Sequence, residues 1–174
     1  MTSVASVVKG IREFSKLERI LAAVCVFTPL LLVLGDNFTV RDSISAYFNM
    51  EKSVLFYVPL TVTFMLFLVN GMIKGKTWYN TALGVALAGL VLFNCIEYFL
   101  LHFIFAALFF LGNAAVIVIY TPKKELWFKI VLVAVIALSL GAWLVKVLPL
   151  FWAEWISLSI IALHYLLESA GVIE

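Results

Sequence analysis

The chain has 174 residues, of which 65% are hydrophobic and only 13% charged, with a formal net charge of +2. A water-soluble domain carries about 25% charged and about 45–50% apolar residues, so this composition excludes an ordinary soluble domain and calls for lipid to cover its surface. The small net charge, with no basic cluster interleaved by aromatics, excludes a nucleic-acid binder.

Residues 1–16 place Val4, Val7, Val8, Ile11 and Phe14 on one helical face and Lys9, Arg12 and Lys16 elsewhere around it. This pattern predicts a short N-terminal amphipathic helix lying at the membrane interface. The first span, 17–35, is too long for a cleaved leader and reads as a retained signal anchor. A polar stretch, 36–52, separates it from the second span at 54–73. The apolar run from Thr81 to Tyr120 is long enough for two crossings at about 20 residues each. Its only polar break is Asn94-Cys95-Ile96-Glu97, so the chain is expected to turn there, giving spans at 80–96, the short one, and 98–120. Two more follow at 126–148 and 150–172. The reading is all-α: a single domain over 1–174, an integral membrane bundle of six transmembrane helices.

Gly84 with Ala88, and Ala82 with Ala86, stand four apart in the third span, a spacing for close helix contact that predicts a central place in the bundle. Pro29 and Pro59 fall inside spans, as lipid permits where neighbours satisfy the freed carbonyl. Cys25 and Cys95 read as free thiols.

Lys and Arg set the orientation. Lys9, Arg12, Lys16, Arg19, Lys74, Lys76, Lys123, Lys124 and Lys129 fall on the side of the termini, and Arg41, Lys52 and Lys146 on the other. The chain is therefore expected in the cell membrane with both termini cytoplasmic.

An ionisable side chain within a span is a functional candidate, because lipid penalises it unless it is paired or hydrated. The candidates are Glu97, His102, Glu154, His164, Glu168 and Lys146. The fourth and sixth spans run inward from the outer surface, so His102 and Glu154 fall at a similar depth. Asn94 and Glu97 lie at the outer turn, and Arg41, Asp42, Ser43, Ser45 and Tyr47 in the outer loop. An outward-facing polar pocket built from these pieces is the expected site. Glu154, Ser157, Ile161, His164 and Glu168 share one stripe of the sixth helix.

Several chemistries fit these residue types. A metal would use His102, His164 and a carboxylate such as Glu168, although His164 lies ten residues below Glu154, about 15 Å along a helix. A hydrolase would pair Ser43 or Ser45 with His102 and a carboxylate, without the Gly-x-Ser-x-Gly elbow. A channel or transporter would use Glu154, His164 and Glu168 as a ladder. The plainest reading has His102 and Glu154 bonding each other or the Ser43 loop, pinning the outer ends of the helices together.

Arg41-Asp42-Ser43-Ile44-Ser45-Ala46-Tyr47-Phe48 resembles the R-x-S-[IL]-S-x-Y-[YF] signature of a group of small, uncharacterised polytopic membrane proteins. His102-Phe103-Ile104-Phe105-Ala106-Ala107-Leu108-Phe109-Phe110 resembles their H-[YF]-I-x-A-x-x-F-F stretch, and Phe151-Trp152-Ala153-Glu154 the F-W-x-E that opens their last helix. In layout the group is similar to the CREST superfamily of ceramidases and progestin-type receptors, whose members hold a metal with a Ser, an Asp and three His. That likeness implies His102 as the first histidine and Ser43 or Ser45 as the serine. The closing His-x-x-x-His is replaced by His164-x-x-x-Glu168.

The sequence thus favours a non-catalytic membrane protein that binds a lipid-like ligand or a partner protein at the outward pocket. A CREST-like hydrolase of an amide or ester lipid is the alternative and a channel or transporter the third reading. The expected partners are the lipid bilayer, a lipid-like ligand and other membrane subunits, with no nucleic acid. No catalytic residue is assigned and no cofactor is expected; zinc is the one metal weighed.

Overall fold

A computed structural model describes residues 4–74 and 78–173. Among them are six α-helices: α1 (Val4–Gly35), α2 (Val54–Lys74), α3 (Trp78–Leu92), α4 (Phe99–Ile119), α5 (Leu126–Leu144) and α6 (Leu150–Ser169). A single 3-10 turn, Ser45–Asn49, interrupts the loop between α1 and α2. Five of the helices are long and apolar enough to cross a membrane, with α1 contributing Lys16–Gly35. A helix satisfies the backbone polar groups of an apolar segment within that segment, as a spanning segment requires. The backbone of the N-terminal segment is helical and continuous with the first apolar stretch. The side chains from Val4 to Phe14 that would define an interfacial face lie outside the described residues.

α3 is the short helix, 15 residues or about 22 Å long. The chain leaves it before Asn94 and re-enters helix at Phe99, so the turn covers Phe93–Tyr98. Asn94 builds that turn: its Oδ1 accepts from the N–H groups of Ile96 (3.1 Å) and Glu97 (2.8 Å).

Consecutive helices run antiparallel. Asn70 of α2 meets Asn80 of α3, Phe93 after α3 meets His102 of α4, and Ser139 of α5 meets Ser157 of α6. The ring closes where α6 packs on α1: Trp155 donates to the Val26 carbonyl (3.2 Å) and Arg19 reaches Ser169. Gly84 lets α3 approach the Leu68 backbone of α2, where a Cβ would be crowded. The most buried of the five long spans is α6, half of it enclosed. α6 packs between α1 and α5, with Phe151, Ala153, Ile161 and Ala162 fully covered, and α3 packs between α2 and α4. The loosest seam between consecutive helices is α4 against α5.

Candidate functional site

The loop between α1 and α2 is a rigid unit. Arg41 clasps Asp36 through two bonds (2.6 and 3.2 Å), donates to the Ala46 carbonyl (3.0 Å) and to Asn49 Oδ1, and lies 5.5 Å from the Tyr47 ring centroid. The hydrogen-bonded guanidinium holds the Asp36 carboxyl below its ordinary value, and Asp36 in turn raises that of Arg41. Tyr47 is fully covered. Its hydroxyl donates to the Thr39 carbonyl (2.6 Å) and accepts from the Arg41 N–H (3.2 Å). The ring packs 6.0 Å from Phe151 of α6.

This loop docks on the first turns of α6 by a reciprocal exchange. The N–H of Phe151, one of the donors a helix start leaves without an internal partner, donates to the Asp42 carbonyl (2.9 Å). One turn further, Glu154 Oε2 accepts the Ile44 N–H at 2.6 Å. Ser43 adds local order: its hydroxyl accepts from the Ala46 N–H (3.1 Å) and lies 3.3 Å from that of Ser45. On the facing helix, His102 Nδ1 is 2.7 Å from the Phe93 carbonyl. A carbonyl only accepts, so Nδ1 carries the proton and Nε2 is left as an acceptor.

Ser43, Ser45, His102 and Glu154 line one cavity of about 360 Å3 in the α4–α5 seam. Cys95 and Trp143 also line it. The rest of the wall is apolar, and Phe99, Phe103, Leu111 and Leu144 on it face outward from the bundle. A smaller cavity of about 50 Å3, also walled by Ser45, His102 and Glu154, runs deeper toward Phe56 and Leu87.

The other residues singled out from sequence lie outside this cavity. Arg41, Asp42 and Tyr47 build and dock the loop. Asn94 caps the α3–α4 turn and bonds Glu97, which is exposed. His102 and Glu154 each bond a backbone group of another segment rather than each other. His164 and Glu168 line a separate cavity of about 20 Å3 at the opposite end of the bundle. Among the described residues no three His, Cys, Asp or Glu gather as a metal ion would need, so His102, His164 and Glu168 do not form a common ligand set.

That opposite end holds a polar network not singled out from sequence. Asn80 donates to Asn70 (2.8 Å) and accepts from the Tyr165 hydroxyl (3.0 Å), and all three are buried. Asn113 bonds the Phe109 carbonyl at 2.8 Å. Lys129, counted above among the interfacial positive charges, is buried and lies 3.7 Å from Glu125. The signal available was the asparagine pair, placed ten residues apart across the α2–α3 connection where both faces are otherwise apolar.

The family described as "Family of unknown function (DUF7103)" matches residues 27–169, most of the chain and all of the cavity wall, and the chain belongs to that family. No curated protein and no solved structure matches it.

Proposed function

We propose that this member of a family of unknown function is an integral membrane protein of six crossings that binds a lipid-like amphipath in the α4–α5 cavity. The observation that carries the reading is the composition of that wall: Ser43, Ser45, His102 and Glu154 at one end and an apolar remainder bordered by outward-facing Phe99, Phe103, Leu111 and Leu144. A ligand pocket with few polar groups converging in a mostly apolar lining suits one polar head and one hydrocarbon chain. The loose seam offers entry from the side, out of the bilayer. α3 makes the third crossing with help from the Phe93–Tyr98 turn, since it lies antiparallel to both α2 and α4. Both termini are cytoplasmic and the pocket opens toward the outer leaflet; the excess of Lys and Arg on the terminal side supports this even without the buried Lys129.

The test is to extract lipids from protein purified in mild detergent and identify them by mass spectrometry. The wild type releases an amphipath in near-stoichiometric amount, and Ala106→Phe, which fills the apolar wall, releases none. Equal recovery from both would remove the cavity from ligand binding.

One observation favours a second reading, a CREST-like hydrolase of an amide or ester lipid. Ser45 and His102 share both cavities with Glu154, and the Phe93 carbonyl fixes the tautomer in which His102 Nε2 can act as a base. That reading requires His102→Ala to abolish turnover of such a lipid while folding is retained.

A further inference from the structure

Glu154 is an unusual lining residue. It is 92% covered, and Oε2 is occupied by the Ile44 N–H. Among the described residues no cation pairs with it and Oε1 has no hydrogen-bond donor. A buried carboxylate is strongly disfavoured unless a countercharge or further donors meet it.

Among the described residues the cavity walls hold no such countercharge: neither contains a lysine or arginine. Arg41 of the docking loop is committed to Asp36, Ala46 and Asn49. A phosphate or carboxylate head would meet Glu154 with nothing to neutralise it. The polar groups at this end can all accept: the Glu154 carboxylate, the ring nitrogen of His102 not engaged by Phe93, and the Ser43 and Ser45 hydroxyls, which can also donate. An ammonium carries three donors and no acceptor, and so matches this set.

We propose that the ligand of this cavity is an amphipath with a protonated amine head, whose ammonium pairs with Glu154 while its hydrocarbon chain fills the gap between α4 and α5. The inference rests on the amphipath-binding reading above and narrows it to one class of head.

Cys95 supplies the readout. It lines the cavity, whereas Cys25, the chain's other cysteine, is buried in the core. Maleimide labelling of Cys95 is followed in nanodiscs with four probes sharing a twelve-carbon chain: dodecylamine, dodecanol, dodecanoate and dodecyl phosphate. Dodecylamine is expected to protect the thiol at concentrations about tenfold below the others, the preference that a hydrogen bond to a charged partner typically confers. In Glu154→Gln, whose amide oxygen still accepts the Ile44 N–H and so keeps the loop docked, dodecylamine should fall to the level of dodecanol. In Ala106→Phe no probe should protect. Protection by dodecanoate or dodecyl phosphate equal to that by dodecylamine would overturn the head assignment while leaving the cavity as a binding site. An undiminished amine preference in Glu154→Gln would overturn the pairing. Failure of all four probes to slow labelling of the wild type would overturn this inference and the ligand reading together.

Discussion

Replacing Glu154 by alanine and by glutamine separates its structural bond from its charge. The carboxylate receives the Ile44 N–H at 2.6 Å, and Ile44 is only 6% exposed, so water does not replace a lost acceptor. Alanine leaves that donor stranded, at a cost of about 1–3 kcal/mol. Glutamine offers an amide oxygen in the same place and removes a buried charge, so it should cost little. For a chain of this length about 1 kcal/mol moves the melting temperature by roughly 2–4 °C. Glu154→Ala should therefore melt roughly 2–12 °C below Glu154→Gln. The assay is thermal unfolding in one detergent, followed by tryptophan fluorescence, because Trp152 and Trp155 flank the site and stack on each other. Two variants of equal melting temperature would mean that the bond to Ile44 does not hold the loop, and the docking argument would fail.

Further expectations follow from the same geometry. Tyr47→Phe keeps the buried ring but removes the hydroxyl shared by Thr39 and Arg41, and should destabilise by about 1–3 kcal/mol in the same melting assay. The depressed Asp36 value means its bond to Arg41 stabilises the fold above the ordinary carboxylate range and loses that contribution as pH falls through the lower folded value. Asp36→Asn should accordingly melt with a shallower acid dependence than the wild type. Asn80→Ala removes a donor to Asn70 and an acceptor from Tyr165 at once; it should lower the melting temperature more than Tyr165→Phe, which breaks only one of those bonds. If Asn80→Ala and Tyr165→Phe are equally mild, the three side chains do not act as a network. In a chain lacking Cys25 and Cys95, Glu97→Cys, at an exposed position of the α3–α4 turn outside the cavity, should be labelled by a membrane-impermeant maleimide added to intact cells; labelling only after lysis would reverse the proposed orientation.

Much of the fold was legible because long apolar runs leave the backbone few choices. Apolar runs of spanning length became helices, and the one polar break in the longest run, at Asn94, became the turn that ends α3. The juxtaposition of two candidates was legible too. Counting residues from the turns that precede α4 and α6 sets His102 and Glu154 at a similar height along the bundle, and both line one cavity with Ser43 and Ser45. The partners were not legible. Glu154 bonds the Ile44 N–H and His102 the Phe93 carbonyl, and a backbone group carries no mark in the sequence. Arg41 and Asp42 carry charges and drew attention for that reason, yet Arg41 is spent on Asp36 and Asp42 contributes through its carbonyl. Lys129 follows the positive residues Lys123 and Lys124 and reads as another interfacial charge until the packing of α5 on α6 buries it. Asn70 and Asn80 carry no charge, so a search for ionisable residues passes over them, although a neutral amide in an apolar helix needs a partner as much as a charge does.

The central claim is that the α4–α5 cavity takes up one amphipath per chain, and Trp143 on its wall reports that directly. In a protein retaining Trp143 as its sole tryptophan, titration with an amphipath brominated along its chain should quench fluorescence saturably, reaching its limit at one molecule per chain. Ala106→Phe in the same background should abolish the saturable phase. Quenching that rises without saturation, and is identical in the Ala106→Phe protein, would mean that the brominated chain meets Trp143 only from the surrounding lipid and would contradict the account.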